Sequence, residues 1–327
     1  MSGWTEEDVP DLSGKTFVVT GANSGIGFEA SRALAARHAT VVLACRSLEK
    51  GKAAVEAIRA RAPDAKLALE RLDLGDLGSV RSFAAKVVKD HARVDVLINN
   101  AGIMAIPRLA TKDGFETQIG TNHLGHFALT GLLLGRLVES APARVVTVSS
   151  MAHTMGKFGA LDADDLRLQT GYTKWGAYGR SKLANLLFAY ELERRLEARF
   201  PEVISVACHP GYAATNLQAV GPQMTKSFFG KAFMSMGNAL LAQSAAAGAL
   251  PTLYAATVPD VRGGDYIGPG GPFKMIGAPV KQRSNRASHD AEAARKLWDT
   301  SAALTGVDFA LLRPEERAAE TQRTQQA

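Results

Sequence analysis

Only two of the 327 residues are cysteine, Cys45 and Cys208, and they stand far apart in apolar runs. A disulfide scaffold is excluded, and two buried thiols in a reducing compartment are expected. No stretch supplies the about 18 uninterrupted apolar residues of a spanning helix. The amino terminus, MSGWTEEDVPDLSGK, has Glu6, Glu7, Asp8 and Asp11 where a secretory signal has a basic start and an apolar core. These absences predict a cytoplasmic protein without a transmembrane segment. A Lys/Arg block is missing too. The net charge of +6 and the pI near 9.3 are spread along the chain, which argues against nucleic acid as a partner. The seven histidines and two cysteines form no zinc spacing, so no metal is expected. Neither a repeat nor a linker rich in Pro, Gly or Ser divides the chain. With 46% hydrophobic and 21% charged residues, it has the composition of a globular domain and not of a disordered or fibrous one.

What is present is an alternation of short β-branched runs with longer segments of helical period. Seven runs read as strands: 16–20, 40–44, 67–72, 94–98, 144–148, 203–207 and 265–267. Helical patterns lie at roughly 25–37, 49–61, 76–89, 113–138, 176–199, 244–256 and 290–304. Several strands are apolar throughout, as expected when helices cover both faces of a parallel sheet. The expected fold is α/β, a single-domain Rossmann fold with a doubly wound parallel sheet of about seven strands. Residues 1–14 read as an N-terminal extension, 15–307 as the domain, and 308–327 as a disordered tail.

The first strand runs straight into TGANSGIG, followed by FEASRALAARHA at helical spacing. A strand, glycine turn and helix in this order let the backbone approach a pyrophosphate and point unpaired helix N–H groups at its charge. Gly21, Asn23, Ser24, Gly25, Ile26 and Gly27 are therefore candidate cofactor-binding residues. The spacing GxxxGxG resembles the opening TGxxxGIG of the short-chain dehydrogenase/reductase family, and the resemblance runs from about Lys15 to Val307. Arg46 ends the second strand, where a carboxylate would favour NAD and a guanidinium favours the 2′-phosphate of NADP. NADP(H) is the preferred cofactor, with NAD(H) left open; the plain alternative is an arginine that merely starts the next helix. The resemblance places Asp73 and Leu74 beside the adenine ring, and the LINNAG turn, with Asn100, Ala101 and Gly102, behind the cofactor.

The segment AYGRSKLANLLFAYELERRL places Tyr178 and Lys182 one above the other on a helix face. VTVSS ends the fifth strand at the carboxyl edge, where open α/β sheets bind ligands. By the resemblance Tyr178 is the general acid/base, Lys182 its partner, and Ser150 the hydroxyl that holds the substrate oxygen, with Ser149 the runner-up. A free phenol has a pKa of about 10, and a nearby ammonium is expected to bring that of Tyr178 down. Lys182 would also bind the nicotinamide ribose. Asn122 lies within a long apolar helical pattern, where a bare amide is costly. The resemblance makes it a helix bend and a water-linked relay to the lysine. His123 and His126 read as packing or interface residues.

Within HPGYAATNL the resemblance adds Pro210, Gly211 and Thr215 to the cofactor set. Residues 213–242 would form a lid, although the Phe/Met-rich run 224–236 could equally be core or an interface. Ser150 and Tyr178 are 28 positions apart, and the stretch between them resembles retinol dehydrogenase-like and WW-domain-oxidoreductase-like members. The expected activity is NADP-dependent interconversion of a hydroxyl and a carbonyl on a small apolar alcohol, ketone or aldehyde. A catalytically silent cofactor sensor or interaction scaffold is the alternative, and a homo-oligomer is left open.

Overall fold

The computed structural model describes residues 3–159, 161–167, 171–212 and 243–313. Thr215, the expected lid and the end of the tail lie outside the described residues. Eight strands form one sheet: β1 (Thr16–Thr20), β2 (Thr40–Cys45), β3 (Lys66–Arg71), β4 (Val96–Asn99), β5 (Ala143–Val148), β6 (Val203–Cys208), β7 (Tyr266–Pro269) and β8 (Pro279–Gln282). Their order is β3-β2-β1-β4-β5-β6-β7-β8, parallel except that β8 runs antiparallel to β7. Strand order turns back between β1 and β4, and the crevice above that point is where such sheets bind ligands.

The helices are α1 (Gly25–Ala36), α2 (Leu48–Arg59), α3 (Leu77–Asp90), α4 (Gly125–Glu139), α5 (Lys174–Glu197), α6 (Ala245–Thr257) and α7 (Ala291–Thr305), with shorter helical turns between. Period-two alternation along the strands feeds two cores. Phe17 and Val19 of β1 pack with Leu34 of α1, Ile58 of α2 and Leu253 of α6, whereas Val18 joins Phe83 of α3, Phe127 of α4 and Phe188 of α5. Both faces are therefore dry, which explains the continuous apolar runs.

Three expectations need correction. The sheet has eight strands where about seven were expected, because PVKQ is a short edge strand with Val280 and Lys281 exposed and a proline at its first position, features that mask strand character. The helix expected over 113–138 is interrupted: Thr117–Ile119 is followed by a π-helical turn, Gly120–Leu124, before α4 begins. The domain also exceeds 15–307 at both ends. Val9 and Leu12 are buried and Trp4 meets Tyr254 edge-on at 5.3 Å, while Phe309 and Leu312 are buried beside Phe127 and Trp298. Isolated apolar residues in a polar segment carry no period, so their burial is decided by the surface they find.

Among the described residues no helix is long and apolar enough to cross a membrane, and no group of three or more His, Cys, Asp or Glu could hold a metal ion. Cys45 and Cys208 are buried free thiols. The helix caps are local and testable. Asp76 accepts from the N–H groups of Gly78 and Ser79 at the start of α3, so Asp76→Ala is expected to lower stability by about 1 kcal/mol, read as the shift in a urea midpoint.

Candidate active site

A cleft of about 820 Å³ opens over the carboxyl ends of β1, β4 and β5. Its first wall is the glycine turn. Gly21 and Gly25 have φ of 68° and 57°, the left-handed region that side chains disfavour, and this turns the chain sharply from β1 into the N-terminus of α1. The LINNAG turn is pinned to the same strand: the hydroxyl of Thr20 accepts from the N–H groups of Asn100 and Ala101, each at 2.9 Å, and Asn100 Nδ2 donates to the Thr20 carbonyl at 2.8 Å. Asp73 anchors its own loop by accepting from Gly75 N–H at 3.0 Å, with Leu74 beside it in the wall.

Arg46 lies exposed where β2 ends, and the Ser47 hydroxyl caps α2 by accepting from Lys50 N–H. Lys50 lines the cleft beside Arg46, and neither side chain has an ion-pair partner among the described residues. The sequence reasoning missed Lys50. The signal was available, because it stands in the first turn of a capped helix whose later turns present the small residues Ala53, Ala54 and Ala57 to the same wall.

At the other end Tyr178 and Lys182 of α5 are buried and line the cleft with Ser149 and Pro210. The two serines separate by their hydrogen bonds. Ser149 spends its hydroxyl on the Lys182 carbonyl at 2.8 Å, whereas the Ser150 hydroxyl accepts from Ala152 N–H at 3.2 Å and is the group that pulls the Tyr178 phenol down. The cleft thus brings together Ser149, Tyr178, Lys182 and the residues of the glycine turn, Arg46, Asp73, Leu74, the LINNAG turn and Pro210, and Ser150 adjoins it through Tyr178 without lining it. Gly211 adjoins that group without lining it.

Beside this geometry, the chain matches known proteins over most of its length. The family model described as short chain dehydrogenase matches residues 15–161. Human retinol dehydrogenase 13 is 41% identical over 313 residues, covering 93% of this chain and 88% of that protein. Mouse retinol dehydrogenase 12 is 39% identical over 300 residues, covering 91% and 88%. The chain belongs to the short-chain dehydrogenase family. Within it, the chain falls in the retinol dehydrogenase-like branch and is an oxidoreductase of CH–OH groups with an NAD(P) cofactor. A solved structure of an uncharacterised protein from Mycobacterium paratuberculosis superposes with a TM-score of 0.76 at 45% identity, covering 94% of this chain and 99% of that one.

For a short-chain dehydrogenase, the electrostatics of the pair are instructive. Burial pushes the Tyr178 phenol up to about 12, against a smaller downward pull from the nearby Ser150 side chain. Burial brings Lys182 down to about 8. In the protein alone, burial outweighs any lowering of Tyr178 by the lysine. Lys182 donates from Nζ to the Val148 carbonyl at 3.0 Å, and its ammonium lies 5.9 Å from the centre of the tyrosine ring instead of against the hydroxyl.

Asn122 sits in the π-helical turn that interrupts the expected helix. Its amide, however, serves neighbours other than the lysine. Oδ1 accepts from Ile103 N–H at 2.9 Å, and Nδ2 donates to the Ile103 carbonyl and to the Ser181 hydroxyl at 3.0 and 2.8 Å. Ser181 in turn donates to the Tyr178 carbonyl, so Asn122 braces the turn of α5 that carries the pair. His126 is more than packing: buried and neutral, it donates from Nδ1 to the Asn122 carbonyl at 3.0 Å and accepts from Thr20 at 2.9 Å.

Proposed function

We propose that this protein is an NADP(H)-preferring oxidoreductase that interconverts a hydroxyl and a carbonyl on a small apolar molecule, with Tyr178 as general acid/base. The observation that carries the reading is the cleft itself, with Tyr178 and Lys182 at one end, Ser150 beside Tyr178, and the glycine turn, Arg46 and Lys50 at the other. The residues present fit a dinucleotide. The glycine turn and the start of α1 would hold the pyrophosphate, Asp73 and Leu74 the adenine end, Arg46 and Lys50 the 2′-phosphate, and Lys182 the nicotinamide ribose. When bound, the nicotinamide supplies or takes the hydride.

The protein's own residues handle the proton. Ser150 holds the substrate oxygen against the Tyr178 phenol, Tyr178 gives or takes the proton there, and Asn122 keeps that turn of α5 in place through Ser181. Retinol, the alcohol in the relatives' names, is apolar and fits this substrate class. The test is NADPH and NADH oxidation at 340 nm with a panel of apolar aldehydes and ketones, in which turnover confined to polar carbonyls would overturn the substrate class.

The pKa directions add a pH dependence. Tyr178 near 12 is a protonated phenol at neutral pH, ready to donate to a carbonyl but needing to lose its proton before it can accept one from an alcohol. Below its pKa the phenolate fraction grows about tenfold per pH unit, so alcohol oxidation should climb at that rate from pH 6 to 8 while carbonyl reduction stays nearly flat. Initial rates in both directions at saturating substrates check it.

A further inference from the structure

His153, three residues after Ser150, is 4% exposed, and its Nδ1 lies 2.6 Å from the Ser150 carbonyl oxygen. A carbonyl only accepts, so Nδ1 carries the proton. Nε2 lies 3.2 Å from the N–H of Asn285, which only donates, so Nε2 is bare. One neutral tautomer satisfies both contacts. Asn285 follows β8, and the same edge reaches a second histidine: Gln282 Oε1 lies 3.3 Å from His209 Nε2, while His209 Nδ1 accepts from Gly211 N–H at 3.2 Å. The two rings meet the Tyr266 ring at 5.9 and 5.2 Å. The C-terminal edge of the sheet therefore grips both the segment behind Ser150 and the turn at Pro210 and Gly211.

The opposite side of the Ser150 segment is fixed by contact between backbones. The helical turn Met151–Met155 lies directly on α5, where a Cβ at Gly156 would stand 2.5 Å from the Gly179 carbonyl oxygen and one at Gly179 would stand 2.8 Å from that of Ala152. Ser150 is thus held between α5, which carries Tyr178, and His153, which ties it to Asn285.

We propose that His153 is a positioning residue of the active site: by donating from Nδ1 to the Ser150 carbonyl while Asn285 fixes its far nitrogen, it sets the Ser150 hydroxyl against the Tyr178 phenol. The inference rests on the catalytic reading of Ser150 and Tyr178 given above. His153 acts through Ser150 and does not line the cleft. An asparagine amide can occupy the place of Nδ1 and donate to Ser150, whereas a glutamine amide reaches only the place of Nε2.

The experiment is steady-state kinetics with NADPH and the best apolar carbonyl of the panel, on His153→Ala, His153→Asn, His153→Gln, Ser150→Ala and the Ser150→Ala/His153→Ala double variant. His153→Ala should lower kcat by roughly 10- to 100-fold, the scale of a misplacement of about an ångström, with NADPH affinity kept within about twofold. His153→Asn should return to within about threefold of wild type and His153→Gln should not. In the Ser150→Ala background the alanine at 153 should add less than about twofold, because its effect is spent through Ser150. Wild-type kcat in His153→Ala beside an inactive Ser150→Ala overturns the inference alone. So does equal rescue by Asn and Gln, or the full loss recurring in the double variant. Wild-type kcat in Ser150→Ala overturns the catalytic reading and this inference with it. Should His153→Ala fail to fold, the contrast between Asn and Gln decides.

Discussion

Tyr178→Phe is expected to reduce turnover by about 10³-fold, within the range that a lost general acid/base costs, while NADPH affinity stays near that of wild type. The phenol works only in the transition state, the residues assigned to the phosphates are the glycine turn and the end of β2 at the far side of the cleft, and Lys182, assigned to the nicotinamide ribose, is kept. Folding should be spared as well. The ring is buried and phenylalanine fills nearly the same volume, so the loss is confined to the hydroxyl. Turnover at 340 nm, NADPH titration by fluorescence and a thermal midpoint together separate the three effects. Substantial turnover in purified Tyr178→Phe would sink the assignment of the proton to this residue.

Arg46 carries the second large expectation. Arg46→Ala should weaken NADPH by about 1.5–3 kcal/mol, the scale of a charge-assisted hydrogen bond, and leave NADH almost untouched. Arg46→Asp should go further and reverse the preference, since a carboxylate repels the 2′-phosphate and accepts from the ribose hydroxyls of NADH. Lys50 in the same wall makes the loss in Arg46→Ala incomplete, because one cation remains to face the phosphate. Titration of both cofactors into wild type and the two variants checks it. Equal weakening of NADPH and NADH in Arg46→Ala would leave Arg46 as a residue that only starts α2, and NAD(H) would take the place of NADP(H).

Residues close together in sequence were the legible part of this molecule. TGANSGIG, LINNAG and the Tyr178/Lys182 pair each make their geometry within a strand end, a turn or one face of a helix, so spacing alone reports it. The parallel sheet was legible for the same reason. Strands such as VVLAC of β2, buried at five consecutive positions, need cover on both faces whatever their neighbours are. The difference between Ser149 and Ser150 was not legible from residue types, since two adjacent serines differ only in what their hydroxyls meet, and one of those partners is a backbone carbonyl 33 residues away.

The sequence by itself therefore determined the fold class, the order of the elements and the candidate catalytic side chains, because these depend on local period, turn chemistry and burial of apolar runs. Tertiary structure alone decided which hydroxyl faces Tyr178, that Asn122 braces Ile103 and Ser181, that Lys50 joins Arg46, and that β8 and its following turn reach back to His153 and His209. It also decided the protonation of the pair. The pKa of Tyr178 follows from how completely the surrounding elements exclude water, and that is a property of the packed cleft, whose lining runs from Gly21 to Pro210, not of the YxxxK spacing.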